Sequence, residues 1–257
     1  MTVIVPAILG PFGDAVRFIF HEREAPTGGV KIGGHNLLAL LGNHLLVSFT
    51  AVALACLIAI PVSLWLGHQG RGEVLASSVA NVGRAVPSLA LLGFFVAYLG
   101  IGFTNVAAAL TLLAIPPILT NTYVAVREVD RDVVDAARGM GMGMGHIVSR
   151  VELPIALPLI FAGIRTSAVN VVATATIAPL AGYLTLGDTI LSPQIYRGAG
   201  QLGGAILVAL LAVATEVTFA LLQRAVTPKG LKLAPQARRL RRRGIHIPRN
   251  RRIGATP

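Results

Sequence analysis

The chain has 257 residues, of which 54% are hydrophobic and only 13% charged, against about 25% charged in an ordinary soluble domain. That balance suits one membrane domain and excludes a soluble enzyme with its own core. The formal net charge is +11, but 11 of the 22 Lys and Arg residues lie between Arg224 and Arg252, so the body is neutral and the end is basic.

Residues 1–43 read as an N-terminal interfacial segment. Val3 to Leu9 is too short to span a bilayer, Phe12 to Phe20 suits an interfacial helix, and Gly28, Gly29, Gly33 and Gly34 mark a flexible turn. A basic leader region and a small-residue cleavage site are both missing, so no cleaved signal peptide is expected. Leu45 to Leu66 is uncharged and has the roughly 20 residues that a crossing helix needs. Pro61 is expected to kink it. Cys56 is alone within this run, which excludes a disulfide inside the chain. Gly67 to Gly72, with Arg71, is a polar turn.

Val74 to Leu99 reads as the second span, interrupted by Arg84 and Pro87. Backbone groups freed by such a break need neighbouring helices or a water-filled cavity, so Pro87 and Ser88 are pathway or hinge candidates. Thr104 to Val126 is the third span, with Pro116 and Pro117 in its middle, and Asn121, Thr122 and Tyr123 read as hydrogen-bonding to other helices. Ile155 to Leu180 is the fourth span, and Gly182 to Gly203 a polar, glycine-rich connection. Leu202 to Leu222 is the fifth. The organisation is thus a transmembrane domain over 44–226 and a basic tail over 227–257, with a sixth span only if the N-terminal segment crosses.

Between the third and fourth spans lies a charged island. Asp130 is placed to cap a short amphipathic helix. Val133, Val134, Ala137 and Met140 share one helical face, with Arg131, Asp135 and Arg138 opposite at ion-pair spacing. Gly139, Gly141, Gly143 and Gly145 predict a break, and Leu153-Pro154 the start of the next helix. Four Lys and Arg residues fall between Arg127 and Arg150, whereas the turns at 100–103 and 182–203 hold only Arg197. By the positive-inside rule the island and tail are cytoplasmic and the N-terminus is outside. Arg84, Arg165 and Glu216 then lie inside the spans, in the same leaflet. Glu216 is expected to pair with Arg165 or Arg84, because an isolated charge at mid-membrane is costly.

The chain carries no phosphate-binding loop, no G-x-S-x-G and no clustered histidines. ATP hydrolysis, nucleophilic catalysis, a metal and a cofactor are therefore not expected. Glu216 is the one acid deep in a span, which also argues against an ion-coupled carrier.

The island resembles the EAA loop of binding-protein-dependent ABC importer permeases. Asp135, Ala136, Ala137, Gly141, Val151, Leu153 and Pro154 stand at the motif's places, with Asp for the usual Glu and Val for the usual Ile. Ala85 to Leu92 (AVPSLALL), Pro117 to Tyr123 (PILTNTY) and Ala136 to Met142 (AARGMGM) are similar to the branch that imports glycine betaine, carnitine and choline. The resemblance implies an all-α, MetI-like bundle of five or six spans in the inner membrane, with the island as the coupling helix that docks on an ATPase. It implies further partners: ATP-binding subunits, a second permease of the same or a homologous kind, and an external substrate-binding protein. Two alternatives stay open. One is a permease for methionine, taurine or phosphonate. The other is a membrane anchor or assembly factor whose basic tail recruits nucleic acid or anionic lipid. For the tail itself, contact with membrane lipid is expected and nucleic acid is not.

Overall fold

Among residues 4–227, which the computed structural model describes, four helices are long and apolar enough to cross a membrane, and a bent pair makes five when its two helices are counted as one span. The basic tail lies outside the described residues, and so does the side chain of Arg84. The first spanning helix, α2 (Asn36–Gln69), runs on through Pro61 and ends where Gly70 takes a left-handed turn, φ 69°. The Gly70 N–H there bonds the Gly67 carbonyl, so an orphan carbonyl of the last turn is satisfied. The bent pair is α3 (Glu73–Ala85) and α4 (Ser88–Leu99), whose axes meet at 92°. Then come α5 (Phe103–Arg127), the short α6 (Arg131–Gly139), and one long run from Met144 to Ala181. That run comprises α7 (Met144–Ile147), a π-helical turn (Val148–Glu152), α8 (Leu153–Thr174) and a 3-10 turn (Ala175–Ala181). The last elements are α9 (Gly187–Leu191) and α10 (Pro193–Val226).

The centre of the bundle is α5, packed against α2, α8, α3 and α4. Val106, Leu110, Ala114 and Ile118 carry its buried side. Polar links tie the helices where hydrocarbon offers no water. Ser167 of α8 donates to the Ala114 carbonyl at 2.7 Å, and His44 Nε2 of α2 donates to the Val172 carbonyl at 2.9 Å. Small residues let backbones approach. A Cβ on Gly163 would stand 2.7 Å from Asn121 Cβ and 3.0 Å from the Pro117 carbonyl oxygen.

Three sequence expectations change. The glycines after Phe20 do not form a loose turn. A hairpin of β1 (Glu22–Glu24) and β2 (Lys31–Gly33) forms there, antiparallel, with Glu22 opposite Gly33. It follows α1 (Ile4–Phe20), a single helix of 17 residues that is shorter than a span. Secondly, residues 193–203 are helical rather than a connection. Gly200 and Gly203 open a groove on α10 that receives Phe18, whose ring meets Tyr196 edge-on at 6.1 Å. The chain bends inside α10 at Arg197, φ 53°. Thirdly, the fourth span, read from Ile155, belongs to a helical run that begins already at Met144, with α8 itself starting at Leu153 as expected. Pro154 and Pro158 lack N–H groups, and the helix absorbs the mismatch by widening: the Leu153 N–H bonds the Val148 carbonyl five residues back.

Candidate functional site

The charged island folds into a compact helical hairpin at one end of the bundle. Asp130 caps α6, accepting the Asp132 N–H at 3.0 Å. Gly141, at φ 83°, closes it, and the Met142 N–H reaches back to the Ala137 carbonyl. The turn reverses the chain so that α7 packs back against α6. Val129, Val134, Ala137 and Ile147 form the hairpin's own small core, flanked by Met142 and Val151. The apolar face is therefore split. Val134 and Ala137 turn inward, whereas Val133 and Met140 are 43% and 77% exposed. Ala136 and Met144 are exposed as well. Ala137 is thus a packing residue in this chain, not a surface one. Asp135 is exposed and accepts from Arg138 at 3.2 Å. Leu153 packs with Ala125, Val126, Ala156 and Ile160, joining the hairpin to α5 and α8, and Pro154 sits half-buried in the first turn of α8.

A second link was not visible from spacing. His68, in the last turn of α2, lies 2.8 Å from Glu152 Oε2, and the Glu152 side chain is 0% exposed. The other carboxylate oxygen, Oε1, has no hydrogen-bond partner among the described residues. The pair therefore braces the first span against the π-helical turn that feeds the hairpin. The two residues are 84 positions apart, and no local pattern joins them. The one signal available was an acid directly before Leu153-Pro154 in an otherwise apolar run.

Inside the spans, Arg165 Nε stands 3.2 Å from Glu216 Oε1, and Arg165 also donates to Gln223 Oε1 at 3.2 Å. Gln223 Nε2 in turn donates to the Pro158 carbonyl at 2.8 Å. These contacts fasten α10 to α8 along one side. Pro87 occupies the N-cap of α4, with ψ 122°, and Ser88 begins that helix, so both sit at the bend between α3 and α4. Asn121 does not reach another helix as expected. Its Nδ2 donates to the Pro117 carbonyl of its own helix at 2.8 Å. Tyr123 is buried in the core, and the buried Thr122 hydroxyl lacks a partner among the described residues.

Residues 51–230 match the family model described as the binding-protein-dependent transport system inner membrane component. The chain is 40% identical over 222 residues to the carnitine transport permease protein OpuCB of Listeria monocytogenes, covering 86% of this chain and 97% of that one. It is 35% identical over 204 residues to the glycine betaine/carnitine/choline transport system permease protein OpuCB of Bacillus subtilis (strain 168), covering 79% and 94%. Among solved structures, an inward-facing form of the MetNI methionine ABC transporter superposes with TM-score 0.65 at 23% identity, over 75% of this chain and 96% of that one. At that identity the likeness shows the fold alone.

Proposed function

Because the chain belongs to the binding-protein-dependent transport system inner membrane components, the permease subunits of ABC importers, we propose that it passes a quaternary-ammonium osmoprotectant across the inner membrane. Glycine betaine, carnitine and choline are the candidates. The observation that carries this reading is the match to relatives named for those solutes along almost their whole length. The methionine transporter shares the fold at lower identity and lends methionine no such support.

In this reading the α6 hairpin faces the cytoplasm and an ATP-binding subunit. Its outward surface of Val133, Ala136, Met140 and Met144 supplies apolar contact, with Asp135 beside it. That is the form a helix takes when it lies in a partner's groove. Ala137, Gly141, Val151, Leu153 and Pro154 hold the hairpin's shape and seat it on α5 and α8. His68 and Glu152 pass its movement to α2. Pro87 and Ser88 are the hinge between α3 and α4. A second permease, two ATP-binding subunits and an external binding protein complete the importer, with the N-terminus outside and the 227–257 tail against cytoplasmic lipid headgroups.

The test is uptake in a host lacking its own osmoprotectant systems and supplied with the matching partner subunits. Growth at high osmolality should be restored by glycine betaine, carnitine or choline. Uptake of methionine or taurine with none of those three would overturn the reading.

A further inference from the structure

A cavity of about 290 Å³ opens where α3, α5 and α8 meet. Its polar wall is Thr120 and Asn121 of α5 with Thr166 and Asn170 of α8, set around the Pro116-Pro117 step. Pro116 is near the middle of α5, about 16–20 Å from either end at ~1.5 Å per residue, so the cavity lies at mid-membrane depth. Four polar side chains at that depth, in contrast to two larger cavities lined almost wholly by carbon, mark a pathway more readily than a packing defect.

The hydrogen bonds decide what this wall can hold. Thr120 donates its hydroxyl to the Pro116 carbonyl at 2.8 Å. Asn121 donates its amide to the Pro117 carbonyl at 2.8 Å, and Thr166 donates to the Ala162 carbonyl at 3.0 Å. Three of the four side chains therefore spend donors on their own helices and keep oxygen lone pairs. Pro116 and Pro117 add to this, because Leu112 and Leu113 have no amide N–H four residues on. None of the described lining residues is charged or aromatic.

We propose that this cavity is a transit site for the trimethylammonium head of the solute, a proposal that rests on the osmoprotectant reading above. A quaternary ammonium has no N–H to donate. Its positive charge is spread over methyl hydrogens, which meet oxygen acceptors through weak C–H···O contacts. A wall of acceptors without a fixed anion attracts such a head and lets it go, as conduction requires. An aromatic cage would hold it more tightly. Sulfonates and phosphonates need several N–H donors, and among the described residues the four side chains offer only the Asn170 amide and the second N–H of Asn121.

The experiment uses the complete importer in lipid nanodiscs without the binding protein, with choline as probe and binding read by NMR line broadening. The substitutions Thr166→Asp and Thr166→Lys place opposite charges at one exposed position. We expect Thr166→Asp to tighten choline binding at least 5-fold and Thr166→Lys to remove it. Thr166→Val, of the same shape, should weaken it about 3-fold and lower maximal uptake in proteoliposomes, while ATPase stimulation by the loaded binding protein persists. Equal effects from Asp and Lys, or unchanged binding in Thr166→Val and Thr166→Lys alike, would overturn the site. If the unmodified importer moves neither choline, carnitine nor glycine betaine, the osmoprotectant reading itself falls, and this inference with it.

Discussion

Two apolar spans meet opposite fates in this molecule. Over its most apolar stretch α5 is 56% buried inside the chain, whereas the corresponding stretch of α10 is 0% buried. Hydropathy does not account for the difference, since α10, the less buried, is the more apolar of the two. What separates them is what each carries besides carbon. Along α5, small and β-branched residues let α2, α8, α3 and α4 pack against it, and Ser167 of α8 hydrogen-bonds to its Ala114 carbonyl. Through its middle, α10 exposes Leu210, Val213 and Val217. It is held at its ends instead, by Phe18 and Tyr196 near its start and by Arg165, Glu216 and Gln223 near its finish. A membrane helix can therefore belong to the bundle by burial or by a few fastenings, and the second kind leaves a face for lipid or a second permease.

Perturbations should sort along that contrast. The largest effect belongs to the buried brace beside α5. Replacing His68 with Leu leaves the Glu152 carboxylate buried without its partner, which we expect to cost about 3 kcal/mol. Thermal unfolding in detergent should show it as a loss of roughly 2–4 °C per kcal/mol. A paired His68→Leu, Glu152→Leu change should recover much of it, since a buried polar pair can be exchanged for apolar groups at little net cost. Recovery of nothing would mean the pair is not a unit.

Next comes close packing on α5. Gly163→Ala brings a methyl to 2.7 Å from Asn121 Cβ, and overpacking of that kind costs about 1–3 kcal/mol. An unfolding temperature equal to the parent's would show that α8 can shift freely there. The fastening of α10 should yield less. Glu216→Gln leaves Arg165 with Gln223 as partner, so a loss of about 1–2 kcal/mol is expected, below the price of a lone charge at a helix centre. Adding Arg165→Gln should restore part of it, and a further loss instead would argue that the two side chains act separately. Smallest of all, Leu210→Ala on the exposed face of α10 should change stability by less than about 0.5 kcal/mol. A large drop measured for this chain purified without its partners would place that face inside a permease-to-permease contact.

The function of the outer hairpin surface needs a different readout. Met140→Asp should leave unfolding temperature and membrane insertion unchanged while lowering transport more than 10-fold. Transport at the parent rate would remove Met140 from the docking surface.

Much of this protein is legible along the chain because the bilayer imposes a length and an apolar content on anything that crosses it. The five spans, the charged island, its capping by Asp130 and its break at Gly141 all follow from local chemistry: a run of carbon, an Asx cap, a glycine free to take a positive φ. The family likeness is legible too, in the loop motif and in the stretches at Ala85 to Leu92 and Pro117 to Tyr123. Tertiary structure alone decided which side of α6 faces inward, because Val133, Val134, Ala137 and Met140 are equally apolar and only Ile147, returning after Gly141, selects Val134 and Ala137. It decided that Arg165 meets Glu216, where helix rotation allowed more than one partner. It also closed the hairpin after Phe20 and made residues 193–203 helical, for the groove at Gly200 and Gly203 has meaning only once Phe18 arrives from almost two hundred residues away. Pairings such as His68 with Glu152 belong to the same class: burial makes them necessary, but no period in the sequence records which two groups will meet.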